Sequence, residues 1–441
     1  MRIPTLLAPL RRTPVLLAVS ALVAATTLSA CGGSDSAADE TGDTSGASAC
    51  GLGNGEKATG DPIVIGALVT SQAGLDGFTD ATDMAGAYFD CVNDNGGING
   101  RPIKYVVYED TTDPATTQSL GSKLLAQDPM ALVGGMSVLD CPVNGQAYAD
   151  AGYEIVAAGI TNDCFGMSNF SPINIGSSGS STAAAQYLAD QGVDKIVIFT
   201  SNAPGADLVN QGVLDYAKDA GIDAESFLEN VPITDANGLA LKMVEAAGDN
   251  GGVVVNFNPG DTLKVLNAVT QQGLQDKVTW ACPGGCNDSE LVKSLGSAWD
   301  GKIGINAEMA LPSSDGPDAQ LFRQLRADYT PDTPLSAYGQ LGFVSALVAV
   351  KAMLSVPVDD LSKETVNAAI AATTDYTSDL LCKPYYFGDG LDVHMSNNWT
   401  RTVQIENGQL TDDGSCFALA ATPVNNLDTI RAWETKNGIK E

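Results

Sequence analysis

From residue 63 onward, short runs of apolar, β-branched residues alternate with stretches in which apolar side chains recur every third or fourth position. Residues 63–69 (IVIGALV) are uninterruptedly apolar, which predicts a strand buried on both faces. The next five residues, TSQAG, read as a loop, and Met84, Tyr88 and Val92 then share one face of a predicted helix. The segment 95–100 (NGGING) ends that helix, and residues 103–108 predict a second strand. Asp113-Pro114 starts the following helix, with proline where its missing N–H does no harm. Residues 131–133 form the next predicted strand, running into Gly134-Gly135-Met136-Ser137, before a helix over 143–150. Residues 154–157 are predicted as a strand ending at Ala158-Gly159-Ile160-Thr161. After a crossing near Asn174, a helix over 181–189 leads to strand 195–199, and strands at 252–256, 278–281 and 303–305 continue a second series. Residues 318–329 and 337–354 read as helices, and 393–405 as late strand material. This alternation predicts an α/β fold with parallel sheets covered on both faces. Nothing repeats at the short period of a solenoid.

The first thirty residues follow another pattern. Arg2, Arg11 and Arg12 precede an apolar run at 14–25, followed by small residues and Leu28-Ser29-Ala30-Cys31. This reads as a secretory signal, too short for a confident membrane span. It resembles a bacterial lipoprotein signal whose lipobox is LSAC, which implies cleavage before Cys31 and an acyl lipid (palmitate-type) on that cysteine. Residues 32–49 (GGSDSAADETGDTSGASA) carry almost no apolar side chain larger than alanine and cannot offset the entropy of folding. Residues 1–30 are therefore assigned to the signal, and 31–60 to the lipidated cysteine and a flexible tether. No later stretch reads as a membrane helix.

The rest is too long for one typical core, so two lobes are expected. The chain has 53 acidic against 23 basic residues, for a net charge of −30. Such a surface disfavours nucleic acid and anionic lipid as direct partners. Besides Cys31 there are Cys50, Cys91, Cys141, Cys164, Cys282, Cys286, Cys382 and Cys416, an even set that fits disulfides in an exported chain. Order along the chain suggests 50–91, 141–164, 282–286 and 382–416. Cys282-Pro-Gly-Gly-Cys286 also has the spacing of a metal-ligand pair, but no second pair accompanies it, and His394 is the only histidine. No nucleophile is paired with a base, and no nucleotide-binding glycine fingerprint occurs in the required context, so the reading is not that of an enzyme.

The stretches IVIGALVTSQAG (63–74), GAYFDCVNDNGGINGRPIKYVVYEDTTDP (86–114) and ALVGGMSVLD (131–140) resemble the extracellular solute-binding proteins of ABC transporters, type 1, in the branched-chain amino-acid-binding (leucine-binding-like) group. AAGIT (157–161), VLNAVTQQGL (265–274) and SAYGQLGFVSALVAVKAM (336–353) add weaker support. The resemblance covers about residues 61–425. It implies a type 1 periplasmic binding fold: two Rossmann-like lobes with parallel sheets, joined by three hinge crossings. Lobe one would hold 61–172 and 308–386, lobe two 173–307 and 387–425, with 426–441 as a tail. A small solute would bind between the lobes, without cofactor or metal, in a monomer lipid-anchored at the extracytoplasmic face of the cell membrane. ABC permease subunits would be its protein partners. A ligand-sensing surface receptor working with a membrane partner is the alternative.

In lobe one, Ser137 and Thr161 occupy loops after successive predicted strands, where hydroxyls and nearby N–H groups can hold a carboxylate; helix capping is the alternative for both. Gly134, Gly135 and Gly159 permit close backbone approach. Val138 joins this wall, Ser71 and Gln72 its rim, and Tyr338 faces it from the return to lobe one. Asp140 is placed to take a ligand amine, and a Cys141–Cys164 bridge would tie the two loops together. In lobe two the resemblance implies an aromatic just before a glycine, matched here by Pro204-Gly205, and a second aromatic, near which Phe257 lies. It also implies a carboxylate for an α-ammonium, where this chain has Gly284 or Gly285. Trp280 and Phe257 are candidates to stack on a flat or apolar ligand. An ammonium buried without a counter-charge is costly. Either Asp140 or Asp288 supplies the charge, or the ligand is no ordinary α-amino acid.

Overall fold

The computed structural model describes residues 50–71, 76–203, 205–391, 398–420 and 427–439. The signal, Cys31, the stretch 32–49, Gln72, Pro204 and His394 lie outside the described residues.

The first lobe alternates β1 (Ile63–Thr70), α1 (Thr79–Asp94), β2 (Ile103–Asp110), α2 (Pro114–Leu125), β3 (Ala131–Val133), α3 (Asp140–Asp150), β4 (Ile155–Ala157), α4 (Asn162–Phe165) and β5 (Phe170–Pro172). Its five strands are all parallel, in the order β2-β1-β3-β4-β5. As the pattern requires, Met84, Tyr88 and Val92 are buried beneath α1. Asp113 caps α2 by accepting the Thr116 N–H at 2.8 Å, and Pro114 follows in the first turn. Helix α3 begins at Asp140, three residues before the expected start, because Ser137 Oγ accepts the N–H groups of Leu139 and Asp140 (3.3 and 3.1 Å).

The second lobe contains α5 (Gly176–Asp190), β6 (Lys195–Ser201), α6 (Ala206–Ala220), β7 (Asp223–Glu229), α7 (Ala236–Ala247), β8 (Gly251–Asn256), α8 (Pro259–Gln271), β9 (Thr279–Cys282), α9 (Ser289–Leu295) and β10 (Ile303–Ala307). Helix α5 also starts earlier than its apolar pattern predicts. Its first turns, GSSGSS, are poor helix formers, but Gly176 and Ser178 through Ser181 are buried, and packing overrides propensity. The chain then returns to the first lobe with α10 (Pro317–Tyr329), α11 (Ala337–Ser355) and α12 (Lys363–Ala371), and closes with β11 (Trp399–Glu406), β12 (Gln409–Thr411), β13 (Cys416–Ala418) and α13 (Leu427–Lys436). Strands β7-β6-β8-β9-β10 are parallel, and β11 lies antiparallel to β10, β12 and β13. The late strand therefore starts at Trp399 and gives the second sheet a mixed edge.

Helix α11 corrects one expectation. It is long and apolar enough, by length and composition, to cross a membrane. It is instead the central helix of the first lobe, packed on α1, with Phe343, Val344, Ala346, Val348, Ala349, Val350 and Met353 at 0–1% exposure. Gly342 permits this approach, since a Cβ there would overlap the Ala81 carbonyl.

The chain passes between the lobes after β5, after β10 and again beyond Phe387. The four bridges are Cys50–Cys91, Cys141–Cys164, Cys282–Cys286 and Cys382–Cys416. The metal alternative for Cys282 and Cys286 therefore falls away. Residues 50–60, assigned to the tether, are instead fixed to the first lobe: Cys50 and Ala58 are buried, and the Ala58 N–H bonds the Asn93 carbonyl at 2.8 Å. Helix α13, in the segment assigned to a tail, packs on the same lobe. Trp433 stacks on Tyr386 at 4.9 Å, and the Tyr386 hydroxyl donates to Glu434 at 2.9 Å. Cys141–Cys164 joins α3 to α4, directly behind the Ser137 and Thr161 loops. Replacing both cysteines with serine is expected to cost about 2–4 kcal/mol, read as a lower urea midpoint.

Candidate functional site

The two lobes meet where the first turns of α1 and α11 face the loop after β9. Phe78 and Asp80 come from the start of α1, Ser336 and Tyr338 from the start of α11. Ser336 caps α11 by accepting the Gly339 N–H (3.1 Å), and its hydroxyl donates to Asp80 Oδ2 (2.6 Å). The Tyr338 ring stands edge-on to Phe78, with centroids 5.4 Å apart. Across the cleft, β9 runs into Cys282-Pro283-Gly284-Gly285-Cys286, a single tight turn closed by its own disulfide. A Cβ on Gly285 would lie 4.0 Å from the Tyr338 hydroxyl oxygen, so this tyrosine reaches the opposite lobe.

The turn is held from behind. The Gly284 N–H donates to Ser180 Oγ (2.6 Å), whose hydroxyl donates to Asn306 Oδ1 (2.7 Å). The Asn306 amide in turn donates to Thr400 Oγ1 (2.8 Å) and the Arg401 carbonyl (3.1 Å). This buried chain links α5, β10 and β11 to the glycine turn.

Glu308 lies in the second crossing. Its Oε2 accepts the Ile175 N–H of the first crossing at 3.0 Å. Its Oε1 would stand 3.7 Å from a Cβ on Gly284 and makes no hydrogen bond among the described residues. Burial pushes this carboxyl up to about 7, against the Ile175 hydrogen bond that lowers it. Burial also raises Asp80 to about 6; the Ser336 hydrogen bond opposes the shift, and Asp83 and Asp288 add to it. The Tyr338 phenol is pushed up to about 12 by burial and then by the carboxylates of Glu308, Asp288 and Asp80.

Several residues expected in the site have other occupations. The Ser137 hydroxyl donates to buried Asp110 (2.7 Å), and its oxygen accepts the Leu139 and Asp140 N–H groups at the entry to α3. Asp140 Oδ1 accepts from Asn144 (2.7 Å) and Tyr148 (2.9 Å), both on α3. Trp280 is fully buried against Trp299, with its indole N–H on the Gln275 carbonyl (3.0 Å), and Phe257 packs in the same core. Neither ring is available for stacking on a ligand. Asp288 caps α9 by accepting the Leu291 N–H (2.8 Å), yet its charge still acts on Asp80 and Tyr338. Gly159 is tied on both backbone groups to the Asn174 side chain (2.8 and 2.9 Å) and leaves no room for a Cβ beside Phe165. Gly135 lies against the Leu68 carbonyl, and the Val138 N–H donates to Thr70 Oγ1 (3.0 Å). Thr161 is half-buried and makes no cap bond, and Ser71 is half-buried at the end of β1. A water-sized cavity of about 20 Å³ lies beside β1, β3 and β4, lined by Leu68, Leu132, Ile155 and Phe170 together with the site candidates Gly135, Ser137 and Asp140.

Sequence reasoning missed Glu308, Asp80, Ser336 and Phe78. A signal for Glu308 was present: it is the only charged residue between Lys302 and Asp315, in an otherwise apolar run.

Comparison with known proteins agrees with this architecture. A periplasmic binding protein family model matches residues 62–409. The Leu/Ile/Val-binding protein homolog 1 of Brucella suis is 27% identical over 283 residues, covering 62% of this chain and 73% of that protein. A branched-chain amino acid ABC transporter protein from Thermus thermophilus, crystallised with valine, superposes with a TM-score of 0.72 at 15% identity, over 84% of this chain and 100% of that one. A fatty acid ABC transporter substrate-binding protein from Thermomonospora curvata gives 0.70 at 16% identity, over 85% and 96%. With two α/β lobes, crossings between them and a family match spanning both sheets, the chain belongs to the periplasmic binding protein family.

Proposed function

We propose that this protein captures a small solute between its lobes and delivers it to an ABC permease, working outside the cytoplasmic membrane and held there by a lipid on Cys31. The supporting observation is the meeting of Tyr338 from one lobe with the Gly284-Gly285 turn of the other. A side chain that bridges an interlobe cleft lets solute binding be coupled to closure. The Thermus protein is described with valine and the Thermomonospora protein as a fatty acid binder, so cargo does not follow from this fold.

A thermal-shift screen across amino acids, amines, aromatic acids and fatty acids tests the reading, because a solute that binds the native state must raise its melting temperature. Tyr338→Ala is expected to weaken the best solute by about 10–100-fold with the fold intact by circular dichroism. Absence of any stabilising solute refutes capture. For the anchor, a labelled palmitate analogue is expected to enter the wild-type chain in its native host and not the Cys31→Ala variant.

A further inference from the structure

We infer that the Cys382–Cys416 bridge is a thiol-exchange site, opened by a dithiol reductant, and that opening it frees the two lobes to part further than the closed bridge allows. The inference goes beyond solute capture and stands on where this disulfide lies.

Cys382 and Cys416 belong to different lobes. Leu380 and Leu381 pack in the first-lobe core, and Tyr376 and Tyr385 pair their backbones on either side of them. Cys416 begins β13, where it lies opposite Arg401 of β11 in the second sheet. The bridge therefore spans the hinge with a Cα–Cα distance of 5.8 Å and closes a loop that contains the third crossing. It also sits beside the second crossing, because Leu381 pairs with Met309 and the Ala310 N–H donates to the Leu380 carbonyl at 2.8 Å. Backbone crossings yield by rotation about φ and ψ. A disulfide instead holds its Cα atoms within about 7 Å. The bridge therefore limits how far this side of the hinge can open.

Its surroundings differ from those of the other three bridges. Cys382 and Cys416 are half-buried, while the other six bridged cysteines are at 0–6% exposure. An incoming thiolate can reach the first pair without local unfolding. Two cations flank it, in a chain with 53 acidic against 23 basic residues. Lys383, next to Cys382, stands 3.9 Å over the ring of Trp399 in β11. Arg401 shares a face of the ladder with Cys416. One of its nitrogens holds Asp412 at 2.8 Å, and its Nε is buried without a hydrogen-bond partner among the described residues. Cations beside a sulfur favour the thiolate, and a stable leaving thiolate speeds exchange.

In the exchange, one thiolate of the reductant attacks Cys382 Sγ. A mixed disulfide forms, the bond to Cys416 breaks, and its electron pair leaves with the Cys416 sulfur, which takes up a proton. The reductant's second thiol then attacks its own sulfur in the mixed disulfide and releases Cys382 as a thiol. Two electrons and two protons pass to the bridge, and the reductant ends as a disulfide. An untethered hinge has more open conformations, so the population shifts away from the closed form.

The experiment incubates purified full-length protein with dithiothreitol in native buffer and quenches it at intervals with iodoacetamide. Peptide mass spectrometry reads which cysteines are labelled, small-angle X-ray scattering reads the radius of gyration, and circular dichroism reads the fold. No solute is needed, so failure here is distinguishable from failure of the capture reading. Expected is that Cys382 and Cys416 are labelled at least about tenfold faster than the other six bridged cysteines. The radius of gyration then rises with the helical signal unchanged, and Cys382→Ser/Cys416→Ser shows the larger radius without reductant. Earlier labelling of another pair overturns the inference. So does a radius that stays constant once 382 and 416 are labelled, or one that rises only as the helical signal is lost. If the double variant does not fold, the reduced wild-type series decides by the same criteria.

Discussion

Asp110→Ala is expected to lower the melting temperature by about 5–10 °C, with solute affinity falling as well. Asp110 ends β2 and is 1% exposed. Its carboxyl accepts three hydroxyls: Thr70 at the end of β1 (2.6 Å), Thr117 in α2 (3.1 Å) and Ser137 before α3 (2.7 Å). Truncation leaves the Thr70 and Ser137 hydroxyls without their acceptor, while Thr117 keeps the Asp113 carbonyl at 3.1 Å, a cost on the order of 2–5 kcal/mol. The loss reaches the cleft because Thr70 Oγ1 accepts the Val138 N–H and Ser137 sets the first turn of α3. Asp110→Asn separates the contributions. One oxygen can still serve Thr70, but the amide nitrogen then faces Ser137, whose oxygen already accepts two N–H groups. That variant should lose about half as much. Thermal unfolding by circular dichroism measures both, and a change under 2 °C in Asp110→Ala would show that the network carries little of the lobe's stability.

Gly342→Ala is expected to be at least as damaging, although it adds one methyl group. The methyl would enter the Ala81 carbonyl, and among the described residues α1 and α11 share the most extensive contact between helices. Relief requires the helices to separate, opening space around Met84, Tyr88, Phe343 and Ala346, all at 0–3% exposure. Overpacking of a close core typically costs 1–3 kcal/mol and occasionally more; a backbone obstacle places this site at the upper end. Since α1 and α11 also carry Asp80 and Tyr338, the variant should weaken solute binding together with stability. Gly100→Ala is a contrasting control: a Cβ there meets nothing within 4 Å, so only backbone strain at its φ of +85° contributes.

The sheet-forming part of the fold was legible because buried parallel strands write themselves as short apolar runs. Strand 131–133 agrees at both ends with the structure, and Met84, Tyr88 and Val92 lie where their spacing places them. Strand β7 escaped notice because it is an edge strand of sequence DAESFLE, with alternating partial exposure and little apolar signal. The front of α5 escaped because serine and glycine do not advertise a helix that packing alone stabilises.

The site was less legible, for a different reason. Ser137 and Asp140 are the right residue types in the right loops, but sequence cannot tell a hydroxyl aimed at a ligand from one that accepts N–H groups at the entry to α3 and bonds Asp110, a residue far away in the chain. Trp280 reads as a ligand platform only until Trp299 is brought against it. Glu308 was not singled out at all, because Ile175 and Gly284, which it meets in the fold, are connected to it by no local pattern.

The Cys50–Cys91 bridge fastens the upstream chain to the first lobe. Any load carried by the chain upstream of Cys50 enters the folded body through α1 and spreads into α10 and α11, which pack on it. A force applied from that side loads the first lobe first, and it reaches the second through the crossings and the Cys382–Cys416 bridge, which ties the first lobe to β13. Cutting Cys50–Cys91 would shift the point of attachment from Cys50 to Ala58, whose N–H holds the Asn93 carbonyl, lengthening the leash by the span of residues 50–57.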